Sequence, residues 1–235
     1  MSGTDHGARG RAPGWLCWLF GAMLLAGAAW AGPGPAPAPA RAPAYYRVIN
    51  LPPGGMTGWS GFNASDQIAI SRIDAHGVSR GYLHDGNNVI PIGSLGGTQT
   101  LVRGLNDAGE VVGHATLAGD TVVHAFRWSR REGMRDLGTL DGAGMSESGF
   151  LQPINHRGDV VGYSSSQSGP EHAFLWRRRG GLLDLGGLPD NPGSFSVAHA
   201  INDAGMVGGQ GLAANGETHA FVWTVRPDLY KAVHS

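Results

Sequence analysis

Three short motifs recur along this chain at a fixed spacing, and they limit the folds open to it. Asn-x-x-Gly begins at Asn106, Asn155 and Asn202, so the intervals are 49 and 47 residues. Two further motifs keep the same phase: His-Ala-Phe-x-Trp at 124–128, 172–176 and 219–223, and Asp-Leu-Gly at 136–138 and 184–186. Repeats of about this length are typical of propeller-type units that stack side by side.

An earlier copy keeps the spacing of the three motifs but few of their residues. Asn63 stands at the Asn position, residues 80–84 at the His-Ala-Phe position and residues 91–93 at the Asp-Leu-Gly position. Asp66 replaces the turn glycine, and aspartate tolerates left-handed backbone better than most residues. We therefore expect four copies, with the first turn preserved.

Each copy divides into four short apolar runs separated by turn residues, which predicts four strands. The first strand ends at the Asn, the second contains Val-Val-Gly, the third contains His-Ala-Phe-x-Trp, and the fourth contains Asp-Leu-Gly. The turn glycines Gly109, Gly158 and Gly205 supply positive φ, and the Asn side chain can cap the turn. The predicted fold is all-β, a propeller-like array of four four-stranded repeats at about 45–97, 98–142, 143–190 and 191–235.

The two ends of the array complement each other. Residues 47–52 resemble a lone fourth strand, whereas the last recognisable strand is the third strand of the fourth copy. If the N-terminal strand completes the last sheet, the array closes and no edge stays open. In the alternative, Leu229 to Val233 forms the missing strand and the array remains open.

The N-terminal residues have the composition of an export signal. Arg9 and Arg11 precede an apolar run from Trp15 to Trp30, and Ala29-Trp30-Ala31 suits a signal peptidase. We predict a signal peptide over 1–31, cleaved after Ala31, with a retained membrane anchor as the alternative. Residues 32–44 alternate proline with small residues and are predicted to be a linker.

Charge and cysteine content narrow the classes of partner. Loss of Arg9, Arg11 and Asp5 with the leader reduces 17 basic and 18 acidic residues to 15 and 17, a net charge of −2. This balance does not favour a nucleic-acid partner. The single cysteine, Cys17, lies in the leader, so no disulfide framework is expected. We expect a secreted or periplasmic protein with no stable membrane span once the leader is removed.

The three motifs together resemble the HAF repeat family of predicted extracellular bacterial proteins. The resemblance covers nearly all of residues 45–235 and is specific in the second, third and fourth copies. In the first copy Arg80 replaces the histidine and Asp66 the glycine. The resemblance implies an exported β-repeat protein and supplies no catalytic residues.

The repeated residues are interpreted as structural. Alternate residues of a strand share a face, so the His, Phe and Trp of each motif are expected to pack against a neighbouring sheet. The histidine is expected to hydrogen-bond a backbone group there, with metal binding as the alternative. The predicted repeat-structural residues are His124, Phe126, Trp128, His172, Phe174, Trp176, His219, Phe221, Trp223, Asn63, Asn106, Asn155, Asn202, Gly109, Gly158 and Gly205.

Arginines in the turns before the fourth strands form a predicted rim. These arginines are Arg130, Arg131, Arg177, Arg178 and Arg179. They are interpreted either as a binding surface for an anionic partner or as ordinary solvated turns. The Asn-Asp-Ala-Gly turns lack the closely spaced oxygen ligands of a calcium loop. No cofactor or metal site is predicted.

Known catalytic signatures are missing from the sequence, including a Gly-x-Ser-x-Gly elbow and a His-Glu-x-x-His pair. The residues unique to one copy, Asp120, His156 and Glu171, show no spacing that implies acid–base chemistry. We therefore predict a non-enzymatic module that binds an extracellular protein or glycan. The alternatives are a structural envelope component and a polysaccharide-active enzyme on a propeller scaffold.

Overall fold

The computed structural model describes residues 55–58, 61–86, 88–167 and 169–224. Within them the chain forms strands and no helix, so the all-β prediction is confirmed. It follows that the described part contains no helix long and apolar enough to cross a membrane. The predicted leader (1–31), linker (32–44) and candidate closing segments (47–52 and 229–233) lie outside the described residues.

In the described part of the chain, fifteen strands form four antiparallel sheets, and each sheet is made of consecutive strands in chain order. Sheet 1 contains β1 (Gly55–Gly58), β2 (Ile68–Ile73), β3 (Ser79–His84) and β4 (Val89–Pro91). Sheet 2 contains β5 (Gly96–Leu105), β6 (Val111–Leu117), β7 (Val123–Ser129) and β8 (Gly133–Asp136). Sheet 3 contains β9 (Ser146–Ser148), β10 (Val160–Ser164), β11 (His172–Arg177) and β12 (Gly181–Gly186). Sheet 4 contains β13 (Ser196–Ile201), β14 (Val207–Leu212) and β15 (Thr218–Trp223).

Consecutive sheets pack face to face through three apolar clusters. The cluster between sheets 1 and 2 contains Ala69, Leu83, Ile92, Val102, Val111, Ala115, Phe126 and Trp128. The cluster between sheets 2 and 3 contains Val112, Ala125, Leu137, Ile154, Val160, Phe174 and Trp176. The cluster between sheets 3 and 4 contains Val161, Ala173, Leu175, Ala198, Ile201 and Val207, with Leu185 and Trp223 packed against it. The aromatic residues of sheets 2 and 3 therefore lie against the preceding sheet.

The residue between Phe and Trp in each third strand points to the opposite face, toward the following sheet. Leu83, Arg127 and Leu175 occupy this position in sheets 1, 2 and 3 and are 1 to 3% exposed. Val222 occupies it in sheet 4 and is 58% exposed. Burial of this position thus depends on a following sheet.

The Val-Val-Gly motif is explained by the close approach of the first strand to the second. A Cβ atom at Gly113, Gly162 or Gly209 would overlap a first-strand carbonyl oxygen, that of Leu101, Glu147 and Val197 respectively. Glycine is therefore required wherever a ladder partner is this near. The first copy carries Ile70 instead and forms its own pairing between β1 and β2.

The Phe of each motif provides a test of this packing. We expect Phe126→Ala and Phe174→Ala each to lower the free energy of unfolding by about 3–5 kcal/mol, because both rings are fully buried. Phe221→Ala should cost less, because its ring is only partly buried. Urea unfolding of the purified protein measures the three values, and equal losses would contradict the packing described.

Candidate binding site

The repeated asparagines form a hydrogen-bonded ladder from one sheet to the next. The side-chain Nδ2 of Asn63 donates to the backbone oxygen of Asn106 at 3.0 Å, and Asn106 donates to that of Asn155 at 3.0 Å. Asn155 in turn donates to the backbone oxygen of Asn202 at 3.3 Å. The Asn turns of neighbouring copies are therefore joined in chain order. The predicted first strand ends directly before the Asn in sheets 2 and 4, whereas β1 ends at Gly58 and β9 at Ser148, several residues before their Asn.

Each asparagine also caps its own turn. The Oδ1 of Asn106 accepts hydrogen bonds from the backbone N–H groups of Ala108 and Glu110 at 3.1 and 3.0 Å. The same two bonds recur at Asn63 and Asn155. The turn glycines Gly109, Gly158 and Gly205 have positive φ, and Asp66 adopts φ 55° in the first copy. The degenerate first turn is therefore preserved.

The repeated histidines bind a carboxylate, which sequence reasoning did not foresee. His124 Nδ1 lies 2.8 and 2.9 Å from the two carboxylate oxygens of Asp136, and His172 Nδ1 lies 3.0 Å from both oxygens of Asp184. A backbone partner across the interface stays a prediction for the other ring nitrogen. The carboxylate belongs to the fourth strand of the same sheet, so the His-Ala-Phe and Asp-Leu-Gly motifs are joined as a pair.

Among the described residues, the first and fourth copies show no such pair. In sheet 1, Arg80 and Pro91 stand at the histidine and aspartate positions. Tyr82 pairs with Pro91 between β3 and β4, just as Phe126 pairs with Asp136 between β7 and β8. His219 belongs to a sheet with three described strands, and its Nε2 lies 3.5 Å from Glu217. Loss of the histidine in the first copy thus accompanies loss of the aspartate.

In sheets 3 and 4, a serine hydroxyl at the start of the first strand connects neighbouring sheets. Ser146 Oγ accepts the Ala125 N–H at 3.0 Å and donates to the Gly138 oxygen at 2.6 Å. Ser196 repeats both bonds with Ala173 and Gly186. Both serines are fully buried, and neither belongs to one of the three recurring motifs. Ser196 lies six residues before its Asn, as Thr100 does in sheet 2.

Three of the five rim arginines are engaged by carboxylates. Arg130 pairs with Asp85 of the preceding sheet at 2.6 Å, and Arg131 pairs with Glu132 at 2.5 Å. Arg178 pairs with Glu132 at 2.9 Å and also with Glu110. Arg177 lies in β11 and is partly buried, and Arg179 is exposed. The binding role of this rim stays a prediction.

Arg127 is the centre of a buried ion cluster between sheets 2 and 3. Its guanidinium, with no exposed side-chain surface, contacts Glu110 at 2.5 Å and Glu132 at 2.8 Å. The hydrogen bond from Arg127 lowers the pKa of Glu132 to about 2. The same partner lowers the pKa of Glu110 although burial of that carboxyl acts in the opposite direction. Both carboxylates are therefore held ionised.

The residues unique to one copy are not brought together. Asp120 and Glu171 lie in the connections between second and third strands, whereas His156 lies in the Asn turn at the other end of sheet 3. His156 sits between Asp107 at 2.8 Å and Asp203 at 3.3 Å, so it links adjacent turns. Among the described residues no group of three or more His, Cys, Asp or Glu side chains is arranged to hold a metal ion.

A groove opens at the position where the first copy lacks the His–Asp pair. Its volume is about 140 Å³, and it is lined by Arg80, Gly81, Tyr82, Pro91, Gly93, Ser94, Thr98 and Thr100. Its walls combine an aromatic ring, a guanidinium that is 61% exposed and several hydroxyls. Concave surfaces with an apolar wall and a few polar groups are the usual form of ligand sites.

Comparison with known proteins finds similarity among solved structures. No family model matches the chain, and no curated protein sequence matches it. Among solved structures, one described as putative TolB from Agrobacterium tumefaciens superposes with a TM-score of 0.46 and 15% identity. The match covers 67% of this chain and 62% of that one, so the chain spans less than two thirds of that structure.

The asparagine ladder makes a prediction about stability. We expect Asn106→Ala to lower the free energy of unfolding by at least about 2 kcal/mol, because the buried N–H of Glu110 and the oxygen of Asn155 lose their partner. Asn202→Ala is the matched control. Its side chain is exposed and caps only Met206, so we expect about 1 kcal/mol or less. Equal losses in urea unfolding would contradict the ladder.

Proposed function

We propose that this protein is an exported, non-enzymatic module of HAF-type repeats that binds an extracellular protein or glycan. The observation that carries the proposal is the groove beside Arg80 and Tyr82. It lies where the repeat pattern is broken, whereas the corresponding positions of sheets 2 and 3 are filled by the His–Asp pair.

The repeated residues support a structural role for the motifs themselves. The two His–Asp pairs are equivalent, and each joins the third and fourth strands of its own sheet. A catalytic dyad would need its own substrate surface in each copy, whereas a strand brace is needed in every sheet. Ligand binding is therefore assigned to a departure from the repeat.

The groove suits a polar ligand with a flat apolar face. Tyr82 offers an aromatic ring, and the guanidinium of Arg72 lies 5.7 Å from the centre of that ring. Arg80 contacts Asp74 only at 3.9 Å, so most of its hydrogen-bonding capacity is available to a ligand. A sugar ring or a planar side chain meets both requirements.

The test restores the repeat and so fills the groove. The double variant Arg80→His, Pro91→Asp recreates the pair of sheets 2 and 3, and we expect it to fold at least as stably as the original protein. Binding found on a glycan array or by affinity capture of extracellular proteins should fall at least tenfold in this variant. Arg179→Gln, an exposed change on the rim, is the matched control and should bind as before.

Two outcomes would contradict the proposal. One is the absence of any glycan or protein partner for the original protein. The other is a partner that binds the double variant and the original protein equally, since the groove would then play no part. Turnover of a bound glycan would favour an enzyme instead.

We also propose that the array is propeller-like and that residues 47–52 complete sheet 4 beside β15. Sheet 4 has three described strands, and β15 forms its edge where sheets 2 and 3 each have a fourth strand. Alignment of Val48-Ile49-Asn50-Leu51 with Val89-Ile90-Pro91-Ile92 places Asn50 at the aspartate position. Its side-chain oxygen is a suitable acceptor for His219.

Removal of residues 45–52 tests the closure. We expect the intact chain to be a compact monomer in light scattering and small-angle X-ray scattering, and the shortened chain to self-associate through the exposed edge of β15. Removal of residues 229–233 is the control and should have little effect. A shortened chain that remains a monomer of unchanged shape would contradict closure.

A further inference from the structure

Arg103, in β5, holds a guanidinium for which the described residues provide no counterion. No carboxylate of the described part lies within ion-pair distance of it, and its side chain is partly buried. Its Nε is buried and has no hydrogen-bond partner. Burial has removed water from this N–H and no protein acceptor replaces it, which is costly unless a ligand supplies one.

Other polar atoms without partners lie on neighbouring strands. Oγ of Ser148 and Nδ1 of His199 have no hydrogen-bond partner, and Nδ1 of His114 makes no hydrogen bond although the carboxylate of Glu147 lies 3.5 Å from it. Ser148 is fully buried, and His114 is 7% exposed. Burial lowers the pKa of both histidines, so both favour the neutral form. Buried groups of this kind usually have partners, and their grouping on β5, β6, β9 and β13 marks one place where partners are missing.

Phe150 connects these groups. The guanidinium carbon of Arg103 lies 4.6 Å from the centre of its ring, and the His199 ring lies 5.8 Å away. The backbone N–H of Leu151 donates to the His199 oxygen at 3.2 Å. The segment 148–151, which begins at Ser148, therefore contacts Arg103 of sheet 2 and His199 of sheet 4.

The same segment presents apolar surface to solvent. Phe150 is 46% exposed and Leu151 is 79% exposed. Both belong to an insertion found only in the third copy, where Ser146 precedes its Asn by nine residues, whereas Thr100 and Ser196 precede theirs by six. The repeat fold does not need these side chains, because sheets 2 and 4 form without them.

We propose that Arg103, with Phe150 and Leu151, binds the carboxylate of a ligand that carries an apolar group next to it. The guanidinium fork matches a carboxylate with two parallel hydrogen bonds, and the exposed Phe150 and Leu151 cover the apolar group. Such a ligand is either a small apolar acid or the C-terminus of a chain that ends in an apolar residue.

The charge nearest to this site is Glu147, and it is already engaged. Its Oε2 lies 3.5 Å from Nδ1 of His114. Burial raises the pKa of the Tyr163 hydroxyl, and the charge and hydrogen bond of Glu147 raise it further. The carboxylate is therefore engaged with His114 and Tyr163, and no ion pair joins it to Arg103 among the described residues.

A pair of ligands that differ only in the carboxylate tests the proposal without any variant. N-acetyl-phenylalanine and its amide are titrated into the intact protein, and chemical shifts or heat report binding. We expect the acid to bind at least about tenfold more tightly than the amide, which lacks the charged acceptor. Equal binding of acid and amide, or no binding of either, would overturn the proposal.

Variants assign the binding to this place. Arg103→Gln should remove the preference for the acid, and Phe150→Ala should weaken binding of the acid several-fold, whereas Arg179→Gln should change neither. If Arg103→Gln does not fold, Phe150→Ala and the acid–amide comparison still decide. Acid binding that survives both site changes would place the ligand elsewhere and overturn the assignment.

Two further measurements identify the source of the carboxylate and separate this site from the groove. Hydrocinnamate represents a small apolar acid, and a hexapeptide ending in phenylalanine represents a chain terminus, and the tighter of the two identifies the source. The double variant Arg80→His, Pro91→Asp should bind the acid normally, because the groove belongs to a different sheet. Failure here therefore leaves the groove proposal intact, and failure at the groove leaves this one intact.

Discussion

The structure depends on one constraint: a sheet in the middle of the array has two faces to bury, and only neighbouring sheets can cover them. The third strand of each copy meets this requirement by alternation. Phe126 and Trp128 pack toward the preceding sheet, and Ala125 packs toward the following one. Each such sheet is therefore a donor of aromatic side chains on one side and a receptor for them on the other, which makes the copies mutually dependent.

Close packing of sheets creates a second requirement, because the backbone groups at their edges are shielded from water and need partners. The chain meets it with short side chains that reach across. Ser146 and Ser196 take up one N–H and one carbonyl each, and the asparagine ladder takes up three more carbonyls. The buried cluster at Arg127 is of a different kind. Buried ion pairs add little net stability, and we interpret this one as fixing the register of sheets 2 and 3.

Much of this was accessible from the sequence because it repeats. Four copies, four strands in each complete unit, the turn capped by Asn and the tolerance of Asp66 all follow from local patterns. The carboxylate partner of His124 did not, since a contact across strands at a separation of twelve residues leaves no periodic signal within one copy. Comparison across copies carried that signal, because Arg80 and Pro91 change together where His and Asp are both absent.

The two candidate ligand sites were missed for the same physical reason. A motif shows where side chains are required for packing, so it directs attention to residues that are already satisfied by their neighbours. Arg103, Phe150 and the groove at Arg80 are found only by asking which polar groups and apolar surfaces the fold leaves without a partner. In a repeat protein such surfaces arise where one copy differs from the others. The difference can leave a space that the other copies fill with side chains, as at Arg80. It can also insert a segment that the other copies lack, as at Phe150. Binding is therefore expected to reside in the irregular copies, the first and the third, and stability in the motifs that recur from copy to copy.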